Sequence, residues 1–146
     1  MRDIGLPKIA SNEVEIERCF KVLTELRPHL IVKEFLALIR EMEKEGYQLA
    51  FIKENNEVVC VAGFRICTNL FKGKNFYVDD LVTAETHRSC GYGETMISWL
   101  KKLATKEKCN SFSLDSGVQR DKAHKFYFEQ GLTIIGYHFN FDSNQL

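Results

Sequence analysis

Apolar residues follow two rhythms along this chain. Between residues 12 and 42 they recur every three or four positions: Ile16, Cys19, Phe20, Leu23 and Leu26, then Val32, Phe35, Leu36, Ile39 and Met42. That spacing predicts two amphipathic helices. Asn12 followed by Glu15 has the form of a capping pair that opens the first. Pro28 falls between the two, and Gly46 stops the second. A short strand over Leu6 to Ile9 is expected ahead of them.

The rhythm then changes to strand-like runs, Gln48 to Lys53 and Val58 to Cys67. They are joined by Glu54-Asn55-Asn56-Glu57, a hairpin turn because Asn tolerates positive φ. After a turn region at Asn69 to Lys74, Asn75 to Thr83 makes a third strand, so an antiparallel meander is predicted. Helical spacing returns with Met96, Ile97, Leu100, Leu103 and Ala104, and lysines crowd the C-terminal half of that helix, which suits its dipole. Ser111 to Leu114 reads as a strand. Asp121 is expected to cap a short helix through Gln130, with Gly131 as its C-terminal cap. Thr133 to Phe141 is expected to be the last strand. The predicted order is β-α-α-β-β-β-α-β-α-β, an α/β class with a strand–helix–strand crossover in the second half.

Composition narrows the class. At 146 residues, with 45% hydrophobic and 27% charged side chains, the chain is expected to be one domain over residues 1–146. Basic and acidic side chains number 20 each, so net charge is zero, which argues against nucleic acid as a partner. No apolar run reaches the roughly 20 residues that cross a bilayer, and the segment Met1 to Pro7 lacks a secretion-signal core. No membrane partner is expected. The five dispersed cysteines read as free thiols of a reducing, cytoplasmic compartment. No spacing suggests a metal site.

The candidate chemistry centres on Arg88-Ser89-Cys90-Gly91-Tyr92-Gly93-Glu94, between the end of a strand and the start of a helix. Glycines let backbone approach a ligand, and a helix N-terminus offers unpaired N–H groups to a phosphate. The segment is neither a P-loop, which needs G-K-[ST], nor a dinucleotide fingerprint, which needs a third glycine at Met96.

The run Asp79-Asp80-Leu81-Val82 followed by Arg88-Ser89-Cys90-Gly91-Tyr92-Gly93 resembles the acetyl-CoA-binding motif of the GNAT N-acetyltransferase superfamily. Ala123-His124-Lys125-Phe126-Tyr127 followed by Gly131-Leu132 is similar to that family's C-terminal A-x-x-x-Y-x-x-x-G-Φ element. The resemblance covers nearly the whole chain. It implies a GNAT-like, mostly antiparallel sheet flanked by helices, and acetyl transfer from acetyl-CoA to an amine by direct attack in a ternary complex. It places the pyrophosphate on the backbone of Ser89 to Glu94, and the pantetheine arm along Leu81, Val82 and Thr83. Two departures stand out. Ser89 replaces a glycine, and Arg120 or Asp121 occupies the region where an asparagine is common.

The same resemblance makes Tyr127 the acid that protonates the leaving thiolate; the other reading is a core aromatic beside Phe126 and Phe128. Asp79 and Asp80 are candidate bases for an amine that is mostly protonated at neutral pH. In a regular strand their side chains point to opposite faces, so at most one faces a given cleft. Both are equally readable as capping, lysine-paired or solvent-exposed residues. Arg88 reads as a phosphate contact or as a partner of Glu85. Cys90 reads as an acyl-carrying thiol or as a bystander, and His29 as a surface residue near the acceptor side. His124 and His138 have no evident partner.

An enzyme acting on a small-molecule or peptide amine is the leading expectation. The alternatives are an acyl-CoA-binding module without catalysis and a structural α/β protein. A homodimer through the final strand or the sheet edge is also open.

Overall fold

A computed structural model describes residues 5–146. The part of the N-terminal reading that falls on residues 1–4 lies outside the described residues. The chain forms two compact units, one ending at Leu114 and one spanning Asp115–Leu146.

The first unit contains a five-stranded sheet in the order β1-β2-β3-β4-β5. Its strands are β1 (Lys8–Ile9), β2 (Gln48–Glu54), β3 (Glu57–Asn69), β4 (Gly73–Thr83) and β5 (Ser111–Leu114). The first four are antiparallel neighbours, and β5 runs parallel to β4. Helices α1 (Glu13–Leu26) and α2 (Val32–Glu43) precede the meander, and α3 (Tyr92–Lys106) makes the crossover to β5. Local signals set these boundaries. Asn12 and Glu15 form a reciprocal capping box at the start of α1. Asn55 and Asn56 both take positive φ, 50° and 65°, as a tight two-residue hairpin turn requires.

Strand alternation divides the core between the two sheet faces. Leu49, Phe51 and Val61 join Ile16, Cys19, Phe35 and Ile39 of α1 and α2. Ala50, Ile52, Ala62, Phe64 and Phe76 join Met96 and Leu100 of α3. On this second face Phe64, Phe76 and Phe112 stack in a row across β3, β4 and β5, with centroids 4.7 and 5.3 Å apart.

The second unit holds α4 (Asp121–Glu129). Arg120, not Asp121, occupies the cap position; Asp121 is the first helical residue and contributes negative charge to the first turn. Gly131 closes the helix at φ 86°, and the Leu132 amide donates to the Tyr127 carbonyl. The expected strand over Thr133 to Phe141 does not form. An alternating pattern favours extended backbone, but a strand exists only through a partner's hydrogen bonds, and every residue of this segment is exposed.

Candidate active site

The site begins at the second half of β4. β5 pairs with β4 only from Asn75 to Val78, so Asp79 to Thr83 have β3 on one side and, among the described residues, no strand on the other. That leaves a row of backbone donors and acceptors along one edge. The register also slips here: Gly63 pairs with Asp80 and Phe64 with Val78, leaving Asp79 as the extra residue of a bulge. A bulge re-aims the side chains next to it.

The strict alternation expected for Asp79 and Asp80 is therefore lost, and both enter one charge network. Asp80 accepts from the Tyr47 hydroxyl at 2.6 Å and from Arg27 Nε at 3.0 Å, so both its oxygens are engaged. Asp79 Oδ2 accepts from Arg65 Nε at 3.0 Å, and its Oδ1 takes no hydrogen bond among the described residues. Arg65 also lies 5.5 Å over the Tyr47 ring, and Arg27 donates a second bond to the Asp79 carbonyl. Burial pushes the Asp79 carboxyl above its ordinary range, opposed by the Arg65 guanidinium. Burial, then the Asp80 charge, pushes the Tyr47 phenol far up, so it stays a donor. These partners are arginines and a tyrosine, not the lysines that one sequence reading supplied.

Gly63 makes this arrangement possible. A Cβ there would lie 1.8 Å from the Tyr47 hydroxyl and 2.8 Å from Asp80 Oδ2. Sequence reasoning missed Tyr47, Arg27, Arg65 and Gly63. The one available signal was a glycine inside a strand pattern, which marks a close approach.

Beyond Thr83 the chain makes a short 3-10 turn, Glu85–His87, and then the glycine loop. Glu25 accepts from the Glu85 amide at 2.8 Å and pairs with Arg88 at 3.8 Å. Arg88 also donates to the Thr83 carbonyl, so its carboxylate partner is Glu25 and not Glu85. His87 is held by the buried Glu54 at 3.0 Å. Ser89 has φ 64° and Gly91 φ 87°. The two left-handed residues bend the loop into α3, with Gly91 as its N-cap.

The first intrahelical bond of α3 runs from the Thr95 amide to the Gly91 carbonyl, so the amides of Tyr92, Gly93 and Glu94 precede the ladder. Nothing lies within 4 Å of where a Gly91 Cβ would stand. The Gly93 and Glu94 amides ahead of the helix ladder, an open approach and a positive helix end fit a diphosphate, and the edge from Leu81 to Thr83, without a strand neighbour on that side among the described residues, fits an extended amide chain. Cys90 is exposed and donates to the Arg88 carbonyl at 3.6 Å, a group that takes no proton from it.

In the second unit Tyr127 is half-buried on α4, its ring edge-on to Phe126 at 5.6 Å. Burial raises its phenol above the ordinary value, with Arg120 opposing. His124 is fixed by the Gly117 carbonyl at 2.8 Å and His138 by Asp115 at 3.1 Å, so both have partners that the sequence did not reveal. His29 is exposed between α1 and α2.

Comparison with known proteins bears on the family and the fold. The model of the acetyltransferase (GNAT) family matches residues 14–132. An uncharacterized N-acetyltransferase of Bacillus subtilis strain 168, YhdJ, is 32% identical over 138 residues, 93% of this chain and 96% of its own. Among solved structures, a Trypanosoma brucei acetyltransferase superposes with a TM-score of 0.78 at 21% identity, covering 96% of this chain and 99% of that one. The aminoglycoside N-acetyltransferase AAC(6')-Iy, solved with CoA, superposes with a TM-score of 0.80 at 13% identity, over 98% and 95% of the two chains. At such identities the structural matches speak for the fold alone; the family match and the Bacillus relative carry more. The chain belongs to the acetyltransferase (GNAT) family, and with it to the N-acetyltransferases that take acetyl-CoA as co-substrate.

Proposed function

We propose that this enzyme moves the acetyl group of acetyl-CoA to a primary amine of a small molecule or peptide, by direct attack in a ternary complex. The observation that carries the proposal is the edge of β4 from Asp79 to Thr83, which has no strand neighbour on that side among the described residues and runs into a loop where the Gly93 and Glu94 amides precede the ladder of α3. In this reading Ser89 to Glu94 hold the diphosphate and Arg88 adds charge beside it. Leu81, Val82 and Thr83 pair with the pantetheine amides. The co-substrate supplies an activated acetyl group, and the chain's own groups orient it, take a proton from the amine and return one to sulfur.

Asp79 is the better base of the two carboxylates. It keeps an oxygen without a hydrogen bond, while both oxygens of Asp80 are engaged. Asp80 then serves to position Tyr47 and Arg27. Tyr127 is the acid, and the two compact units work as one domain in the cytoplasm. The second partner in this reading is another copy of the chain.

A non-catalytic acyl-CoA-binding module is the second reading. It is favoured by one observation: each carboxylate faces an arginine, which weakens a base. Thiol detection across a panel of polyamines, amino sugars and peptides separates the two. Release of CoA only when acetyl-CoA and one amine class are both present is the expected result. Binding of acetyl-CoA without release across the panel leaves the module, and no binding at all removes both readings.

A further inference from the structure

We infer that His87, held by Glu54, is a positioning residue for acetyl-CoA: it fixes the loop whose backbone takes the diphosphate and acts on no reacting atom. The inference rests on the reading that Ser89 to Glu94 hold the diphosphate, and a control variant separates the two.

The loop has little main-chain support. The Ala84 amide donates to the Val59 carbonyl at 2.8 Å. Beyond it the main-chain bonds of residues 85–90 are local: the His87 amide to the Ala84 carbonyl at 2.8 Å, and the Arg88 amide to the Glu85 carbonyl at 3.5 Å. Ser89, Cys90 and Gly91 are exposed, and Ser89 and Gly91 have positive φ. Such a loop loses conformational freedom when it grips a ligand, unless side chains have already ordered it.

Two carboxylates supply that order from different elements. Glu25 of α1 meets Arg88 at 3.8 Å, between side chains 31% and 57% exposed, so water and salt screen the pair. Glu54 of β2 meets His87 Nε2 at 3.0 Å, between side chains 6% and 27% exposed. At that burial the attraction is less screened, and loss of one partner costs more. The tie to Glu54 is therefore the one that decides where the loop sits.

Both ends of this tie are fixed. Glu54 is the last residue of β2, directly before the Asn55-Asn56 turn. By strand parity it shares a face with Ala50 and Ile52, which pack with Met96 and Leu100 of α3. The second ring nitrogen of His87, Nδ1, lies 2.8 Å from the Thr86 hydroxyl. With both nitrogens engaged, the ring cannot turn over without losing a contact. It also meets the ring of Tyr92 at a steep angle, centroids 6.3 Å apart. Tyr92 is buried and is the first residue of α3. The imidazole thus joins the end of β2 to the start of α3 at the foot of the exposed loop.

Calorimetric titration with acetyl-CoA, beside thermal melts, tests the assignment. His87→Ala should weaken acetyl-CoA binding roughly tenfold or more, as loss of a supporting contact does to a preorganised site. His87→Gln places an amide N–H near the position of Nε2, keeps a donor for Glu54 and should restore most of the affinity. His87→Ala combined with Glu54→Ala removes the buried carboxylate as well. It should recover melting temperature but not affinity, and it serves alone if His87→Ala fails to fold. Recovery of both would reduce the pair to packing and overturn the inference. His87→Gln as weak as His87→Ala overturns it too, because the tie to Glu54 would then not be what matters. Gly91→Ala is the control on the loop itself. Weak binding by Gly91→Ala with normal binding by His87→Ala overturns the inference alone; normal binding by both removes the diphosphate reading and the inference with it.

Discussion

Tyr47 donates a hydrogen bond from its hydroxyl to Asp80 Oδ2 at 2.6 Å, across a strand position where Gly63 leaves the space. The ring is 2% exposed, so water does not replace a lost bond easily. Tyr47→Phe should leave a largely buried carboxylate short of one donor and cost about 1–3 kcal/mol. Gly63→Ala should cost a similar amount by forcing the hydroxyl away. Urea unfolding of the two variants and of their combination provides the check. If both act through the same contact, the double variant should lose much less than the sum of the single losses.

Asp79 and Asp80 should separate in kinetics. Asp79→Asn should lower kcat by about 10²-fold or more if the carboxylate takes the amine proton. Asp80→Asn should cost stability first, because it weakens the seat of Tyr47 and Arg27. The wild-type rate should rise with pH through an ionisation above the ordinary carboxylate range, since burial raises the Asp79 carboxyl. The sign for stability is opposite. A carboxyl whose folded pKa exceeds its unfolded value stabilises the fold below the unfolded value, and that contribution is lost as pH rises through the folded one. The stability of wild type relative to Asp79→Asn should therefore fall as pH climbs from the ordinary aspartate pKa through the raised one.

Ser89 sits at φ 64°, a conformation that glycine adopts without cost. Relief of left-handed strain is worth about 1–2 kcal/mol, and the extra freedom of an unfolded glycine offsets about 0.4–1. Ser89→Gly should therefore be neutral to about 1.6 kcal/mol stabilising, with acetyl-CoA affinity kept. Gly91→Ala meets no neighbour but is strained at φ 87°. It should destabilise by about 1 kcal/mol and weaken acetyl-CoA binding, because the Gly93 and Glu94 amides that precede the ladder of α3 follow closely. Calorimetric titration with acetyl-CoA and thermal melts measure both.

Glu15 links the capping box of α1 to β1. It accepts from the Ser11 and Asn12 amides and pairs with Lys8, and these contacts hold its carboxyl down at about 2. A depressed folded pKa gives stability that is present above the ordinary glutamate value, 4.5, and lost as pH falls toward about 2. Glu15→Gln should melt below wild type at neutral pH, and the gap should close as acid is added between these limits.

The residues that were readable without a structure are those whose geometry is local. Asn12 with Glu15, Asn55 with Asn56, and Gly91 with Gly131 each act within a few positions, so chain order shows them. The bulge at Asp79 depends on how β3 and β4 slide past each other, and the arginines that reach the carboxylates lie 14 and 53 residues away. No short window holds that information. Residues 133–141 show the opposite failure: a sound local pattern for a strand in a segment that makes no strand ladder.

Tyr127 carries the last prediction. Burial raises its phenol, so at neutral pH it is protonated and available to donate. Tyr127→Phe removes one oxygen and keeps the ring against Phe126. If the phenol protonates the leaving thiolate, kcat should fall by about 10²-fold while the affinity for acetyl-CoA stays within a few-fold of wild type. Loss of acetyl-CoA affinity together with melting temperature would instead make the hydroxyl part of the packing of α4. An unchanged kcat would mean that thiolate leaves without help from this residue. Steady-state kinetics beside direct acetyl-CoA titration tell the three apart.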